Sequence, residues 1–441
     1  MPDFNGFLHD TRYDDIPDHV VQFAKRCLLD LCGVLASGRS TELSHLIREH
    51  VCEHFAAGGK SASILLDGRP ASPAGAALAN GMTIDAIDAH DGFKPAKGHV
   101  GCHVLPAILA FNEAEDKMDG KDMITNLVVG YEIGARTALA LHNSVPDYHT
   151  SGAWGAVTAA ALGSRILGLD TTLTREAIGI GEYHGPRSQM MRCIDHPTML
   201  KDGSGWGAMA GVSATYLAQS GFTGAPAITV EGDDVQEYWS DLGSRWTILE
   251  QYFKPYPVCR WAQPASEAAL TLKRQHGFSH EDIDQITVHS FHEAVRLATT
   301  HPQTTEQAQY SLPFPVGAAL VFGQLGPEEV GGKSLHDPNV LELSKNMLLK
   351  EFEPYNEAFP AERFAHVEIR LKDGTNHVSE CHPARGDHED PLSDEEIHEK
   401  FYFLANPVIG EERSAQLFDC VTGLGENSDV NDLLAVLRPP V

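Results

Sequence analysis

Apolar residues return at helical spacing along most of the first two-thirds of the chain. Val20, Phe23, Ala24, Cys27, Leu28, Leu31 and Leu35 fall on one stripe, and Pro17 with Asp18 supplies a helix start. Three further stretches, 73–87, 123–142 and 154–167, are rich in Ala and Gly and predict helices packed with their backbones close together. Ile64 to Leu66 predicts a short strand that ends in a turn at Asp67-Gly68.

The rhythm changes after Lys254. Ile286 to Ser290 alternates, and Val367, Ile369 and Leu371 alternate before a turn at Asp373-Gly374 and Val378, which predicts a hairpin. Helical patterns over 265–275 and 315–322 lie between these strands. Ser393 with Glu396 forms a capping box that opens a last helical section. The chain is therefore expected to be mainly α with an α+β part. A large all-helical domain would cover 1–263 and a smaller α+β domain 264–391, with 392–441 returning to the helical domain.

Composition narrows the class. With 441 residues, 42% hydrophobic and 21% charged, the chain reads as a globular protein of about two domains. No apolar run approaches the ~18 residues that span a bilayer, so no membrane association is expected. The acidic opening MPDFNGFLHDTRYDD predicts no secretory signal. The eight cysteines are scattered without framework spacing, as expected of reduced thiols in the cytoplasm.

A formal charge of −28 argues against nucleic acid, which needs clustered Lys and Arg. It also makes the few basic groups informative: Lys94, Lys97 and His99; Arg187, Arg192 and Lys201; Lys254 and Arg260. If the three groups converge, an acidic protein acquires a positive pocket suited to a polycarboxylate.

Candidate chemistry concentrates in Asn80 to His103. Asp85, Asp88, His90, Asp91, Lys94, Lys97, His99 and His103 follow an approach of small apolar residues, which points to a buried catalytic site rather than a solvated loop. His99 and His103 are spaced i,i+4, yet neither they nor the His45 to His54 stretch match a closed zinc pattern or HExxH. No metal is expected. Nor is a nucleotide cofactor: GIGEYHG near Gly179 continues a helical pattern, and no phosphate-binding glycine loop occurs. Tyr148 and His149 precede a small-residue helix, where a histidine is either a satisfied structural group or a general base. Lys201 enters a run of Gly, Ser and Ala, and burying an ammonium is costly without a partner or a role. Lys254 and Arg260 bracket a Pro-containing turn at the expected domain junction, where a cleft would form.

Taken together, the segments DLCG (30–33), NGMTIDAIDAHD, the His99 loop, GYEIGAR (130–136), YHTSGAWGA, LKDG, KPYPVCRWAQPA and QYSLPF (309–314) resemble the MmgE/PrpD family across most of the chain. The resemblance implies a helical domain with a smaller α+β lid, a site between them, no metal or organic cofactor, a homodimer and a small-molecule polycarboxylate substrate. By position, Asp88, Asp91, His99, His149 and Lys201 match the family's polar site residues. Two positions depart from the family pattern. Gln263 stands where relatives tend to carry a histidine, and Gly92 replaces a hydroxyl residue.

With that histidine gone, the expected activity is cofactor-independent epimerisation of iminodisuccinate. A proton would leave the carbon beside a carboxylate and another return on the opposite face. Lys201 and His149 are the expected pair of proton-transfer groups, with His99 as substitute and Asp88 and Asp91 orienting them. Lys97, Arg192 and Arg260 would hold the outer carboxylates beside Tyr148 and Gln263. The alternative is a 2-methylcitrate dehydratase or a related polycarboxylate lyase. A non-enzymatic organic-acid-binding protein ranks third.

Overall fold

Helix α1 (Asp18–Gly38) buries Val20, Val21, Ala24, Cys27, Leu28, Leu31, Cys32 and Leu35 along the expected stripe. It belongs to a mainly helical chain with one five-stranded mixed sheet and two two-stranded ladders, seen in a computed structural model that describes residues 3–116, 118–425 and 428–440. Helix α2 (Pro73–Asp85) opens on Ser72, whose Oγ accepts the Gly75 N–H, with Pro73 in the first turn where a missing N–H costs nothing. Apart from Ala74, every residue of α2 is buried, as befits a helix that is apolar and small on all sides.

Helices α3 (Gly101–Glu115), α4 (Gly120–Ser144), α5 (Gly152–Leu167), α6 (Thr171–His184), α7 (Met190–Asp195) and α8 (Ser204–Gln219) follow. Helix α8 packs on both α2 and α5. A Cβ on Gly81 would stand 2.6 Å from the Gly205 Cα, and one on Gly207 2.4 Å from the Gly152 carbonyl oxygen. The small residues are therefore required by backbone contact.

The expected strand at Ile64 to Leu66 is displaced. Ala62–Ser63 pairs with Pro70–Ala71, and Ile64, Leu65 and Leu66 form the buried turn between them. Leu66 has φ 57, and its N–H donates to the Leu437 carbonyl at 2.6 Å. Tertiary burial and a hydrogen bond from the chain's last helix override the local pattern.

After α2, β1 (Gly92–Phe93) pairs with β2 (Gln251–Tyr252) of the second half, where helix α9 (Gln263–His276) precedes the main sheet. That sheet comprises β3 (Ile283–Ser290), β4 (Leu348–Glu351), β5 (Phe364–Leu371), β6 (Asn376–Val378) and β7 (His382–Pro383). Its order is β4-β3-β5-β6, with β7 also on β5; β3 runs antiparallel to β5 and parallel to β4. Ile286 and Val288 with Ala365, Val367 and Ile369 form its buried face, which shares a core with Ala265, Ala268, Ala269 and Leu272 of α9. The β5–β6 hairpin follows the expected alternation. Strand β4 escaped it because LLKE is an edge strand, almost wholly exposed, where polar residues are normal.

Helices α10 (Thr305–Gln309) and α11 (Pro313–Phe322) follow β3, and α12 (Asp394–Ile409) starts at the expected capping box. The Ser393 Oγ accepts the Glu396 N–H at 3.2 Å, and the Ser393 N–H donates to the Glu396 carboxylate at 2.8 Å. Helix α12 packs on α1, with Phe401 so close that a Cβ on Gly33 would lie 3.2 Å from its ring. One hydrophobic core joins α1 and α3–α6 to the C-terminal helices through Phe401, Leu417 and Leu433. A second gathers α9, α11 and the sheet, together with Met190, Cys193 and Ile194 of α7. Among the described residues, no helix is long and apolar enough to cross a membrane.

Candidate active site

After α2 the chain turns through Ala86 to Asp91, with Asp88 in the left-handed region at φ 52. The turn is held from behind by α1 and α12. The Asp30 carboxylate accepts the Asp91 N–H at 3.0 Å and the Lys400 Nζ at 2.5 Å, and Lys400 also donates to the Ala89 carbonyl at 2.6 Å. Strand β1 then pairs with β2, setting Gly92 opposite Tyr252. A Cβ at Gly92 would fall 2.4 Å from the Tyr252 ring, so the tyrosine accounts for the missing side chain at this position. The same pairing carries Lys254 to Asp88. Their charged atoms are 2.8 Å apart, and the two side chains are only 1% and 4% exposed.

His99 sits beside this pair. Its N–H donates to the Ser151 Oγ at 2.9 Å, and its Nδ1 lies 2.6 Å from the Asp91 carbonyl oxygen. A carbonyl only accepts, so Nδ1 carries the proton and Nε2 presents a lone pair. Burial, reinforced by Lys254, pushes the His99 pKa down to about 4. Burial alone would raise the Asp88 carboxyl, yet Lys254 and Lys201 hold it below its usual range. Burial lowers the Lys254 ammonium, with Asp88 opposing. A neutral imidazole therefore adjoins a buried ion pair.

The other two histidines of the segment stand behind it. The His90 ring packs 4.2 Å from that of His99. His103 sets its ring edge-on to Trp154 at 5.0 Å, and burial pushes its pKa to about 3. His99 precedes α3 while His103 lies inside it, so the i,i+4 spacing creates no shared helical face for a metal. Among the described residues, the group of three side chains placed to hold an ion is His289, His366 and Glu368, on the outer side of the sheet.

Lys201 occupies the turn before α8 at φ 48 and is 2% exposed. Its Nζ donates to the Gln309 Oε1 at 2.5 Å and lies 4.9 Å from the centre of the Tyr310 ring. The neighbouring Asp202 accepts the Ser151 hydroxyl at 2.5 Å and donates its N–H to Asp85 at 3.2 Å. Burial raises both carboxyls, and Asp85 raises Asp202 further. Ser151 thus links His99 to the Lys201 turn.

A cleft opens over these groups where the two cores meet. Asp88, His99 and Lys254 line it, with the rings of Tyr148, Tyr252 and Tyr310 and the cations Lys94, Lys97, Arg260 and Arg363. Five of the ten residues expected for the site lie outside this lining. Lys201 lies behind Tyr310. Asp91 is fully buried beneath the cleft, and burial together with Asp30 lifts its carboxyl to about 8. Arg192 is exposed on the side of α7 opposite Met190 and Ile194, which face the cleft.

His149 is outside the lining too. Its N–H donates to the His142 Nε2 at 3.1 Å, the two rings stack, and its Nδ1 is buried without a partner. Gln263 stands behind Arg260, accepting from its Nη1 at 2.7 Å and donating to the Tyr256 and Val258 carbonyls. Arg260 itself lines the cleft, but Asp387, Gln263 and the carbonyls of Ala384 and Arg385 take up its Nη donors. It braces a wall under Tyr252, 4.5 Å from that ring.

Tyr252, Tyr310 and Arg363 were not singled out from the sequence. Tyr310 falls within QYSLPF, and Arg363 immediately precedes an alternating strand. A larger cavity of about 870 Å³ runs behind the site and shares Gln309 with Lys201. Its walls carry Glu42, Glu306, Glu328 and Glu329 against Lys333, the wrong sign for an anion.

The cleft is thus lined by cations and holds a neutral imidazole beside a buried ion pair. Residues 3–241 match the MmgE/PrpD N-terminal domain and residues 256–423 the MmgE/PrpD C-terminal domain. The chain belongs to the MmgE/PrpD family. It is similar along almost its whole length to cis-aconitate decarboxylase of Mus musculus, at 26% identity over 99% of this chain and 93% of that one. The human cis-aconitate decarboxylase is 24% identical over 99% and 94%, and that of Aspergillus terreus 24% over 97% and 94%.

Proposed function

We propose that the chain is a polycarboxylate lyase that acts at a carbon next to a carboxylate. The observation that carries the reading is the His99, Asp88 and Lys254 constellation, in which a neutral Nε2 faces a cleft beside a buried ammonium. The decarboxylase relatives favour release of CO2 over epimerisation. In that reaction the C–CO2 bond breaks, its electron pair moves toward a neighbouring carboxylate, and a proton is delivered to carbon. Lys254 stabilises the charge that develops on the carboxylate, with the Tyr310 ring in the wall beside it. His99 moves the proton, and Lys201 with Asp85 and Asp202 sets the local charge.

A second reading keeps one observation in its favour. Gln263 is spent on Arg260 and two carbonyls, so the proton donor that related chains tend to carry there is missing. Expelling a β-hydroxyl needs an acid at the leaving oxygen, whereas epimerisation needs one at carbon, on the face opposite the base. Epimerisation of iminodisuccinate begins with removal of the proton beside a carboxylate and ranks above dehydration of 2-methylcitrate.

The deciding experiment incubates the purified protein separately with cis-aconitate, iminodisuccinate and 2-methylcitrate in heavy water. NMR follows each substrate and chiral chromatography the isomers. CO2 release from cis-aconitate with deuterium in the product supports the lyase. Stereoisomer exchange of iminodisuccinate without CO2 replaces it with the epimerase. Absence of change in all three sinks both.

A further inference from the structure

The cations of the cleft are not equivalent. Lys254 is paired with Asp88 at 2.8 Å and Arg260 with Asp387 at 2.5 Å. Lys94 lies among Asp387, Glu362 and Glu389 at 3.3 to 3.6 Å. Arg363 is different. It is 6% exposed, its Nε is buried with no hydrogen-bond partner, and among the described residues its guanidinium forms neither an ion pair nor a side-chain hydrogen bond. A guanidinium carries five donors in a fixed fork, and one buried without an anion is strongly disfavoured.

Backbone structure holds it there. The Arg363 carbonyl accepts the Ala384 N–H at 3.1 Å, and the next residue, Phe364, pairs with Pro383 at the start of β5. Its nearest unpaired neighbour carries the same sign. Lys97, held at φ 53 at the mouth of the cleft, places its Nζ 5.2 Å from the centre of the Tyr148 ring and forms no ion pair among the described residues. Two like charges, one of them buried, face one space, and the nearby carboxylates Asp387 and Glu293 act on them without ion-pair contact.

We infer that Arg363, with Lys97 at the rim, seats a substrate carboxylate remote from the reacting carbon. The fork takes that carboxylate through two parallel N–H···O bonds, while Asp88, His99 and Lys254 work on the other end. The seat makes the cleft selective for substrates with an additional carboxylate. This inference rests on the polycarboxylate reading of the site. It transfers the expected anchoring role from Arg260, whose Nη donors are taken, and Arg192, which faces away, to a residue 171 positions beyond Arg192 in the chain.

The test uses Arg363→Gln, Arg363→Lys and Lys97→Met in the full chain, with tricarballylate and methylsuccinate as unreactive tri- and dicarboxylate probes in calorimetry. Wild type should bind tricarballylate tighter than methylsuccinate. Arg363→Gln should weaken tricarballylate by about a hundredfold and abolish the preference, while Arg363→Lys recovers part of it. On the substrate that is turned over, KM should rise more than kcat falls.

Removing a buried charge that makes no ion-pair contact should leave the ligand-free protein as stable as wild type or more so, whereas a structural arginine would lower its melting temperature. Lys97→Met, at an exposed position, should give a smaller loss in the same direction. Unchanged tricarballylate affinity in both Arg363 variants, with wild type binding it, overturns the seat and spares the reading beneath. If wild type binds no polycarboxylate, the functional reading itself fails and the seat with it. Should Arg363→Gln not fold, an undiminished tricarboxylate preference in Lys97→Met overturns the seat.

Discussion

Lys254 Nζ lies 2.8 Å from an Asp88 carboxylate oxygen, with both side chains almost completely buried. Asp88 comes from the turn after α2, and Lys254 follows β2, more than 160 residues later. The short β1–β2 ladder is what brings them together.

Breaking that pair on one side only strands a buried charge, which typically costs about 3–5 kcal/mol. Lys254→Met and Asp88→Asn should each lose about that much stability in urea unfolding and show no measurable turnover. Asparagine is the right probe at Asp88 because it tolerates positive φ. The double variant should recover most of the stability while remaining inactive. Additive losses in the double variant would mean that the two charges do not interact.

Lys400 tests the support rather than the chemistry. It neutralises Asp30 and holds the Ala89 carbonyl, and it does not line the cleft. Lys400→Met should destabilise the protein by about 3 kcal/mol and lower kcat with little change in KM. A variant with normal kcat would show that the turn keeps its shape without Lys400.

Lys201→Ala removes the Nζ that donates to Gln309 and balances Asp85 and Asp88. Turnover should fall at least a thousandfold, the scale of losing a proton-transfer or charge-stabilising group, with the circular dichroism spectrum unchanged. Full activity in a folded Lys201→Ala protein would remove this lysine from the mechanism.

The histidines give the stability a pH slope. His99 and His103 have folded pKa values of about 4 and about 3, against 6.5 in an open chain. Between those limits the unfolded chain binds more protons, so falling pH favours unfolding. Their neutral forms contribute fully above pH 6.5, and each loses about 2 kcal/mol by pH 5. His103→Leu should therefore lose less stability than wild type when urea unfolding at pH 7 is compared with pH 5. Equal losses in both proteins would mean that His103 is not held neutral.

Much of the helical half was legible because its signals are local. The α1 stripe, the Ser393 capping box and the crowded segment from Asn80 to His103 each show themselves within a window of a few turns. Of the candidate site residues, Asp88, His99, Lys97, Tyr148 and Arg260 come together around one cleft. Roles set by distant partners were not. Nothing near Arg260 in the sequence reveals that Asp387 and two carbonyls occupy its fork. Nothing near Arg363 marks it as unpaired. Gln263 drew attention as a missing histidine, and its position shows a supporting role behind Arg260. Strand β4 and the Ile64 to Leu66 turn likewise depend on contacts made far along the chain.

The acidic composition gives the cation-lined cleft a setting of its own. With 61 acidic and 33 basic side chains, a polyanion approaching this protein first meets a field of its own sign, and attraction begins only within the cleft. Ions in solution weaken the outer repulsion at long range before they reach the enclosed charges. Moderate salt should therefore speed the arrival of substrate, and the surface acts as a barrier that only a ligand carrying enough negative charge for the interior has reason to cross.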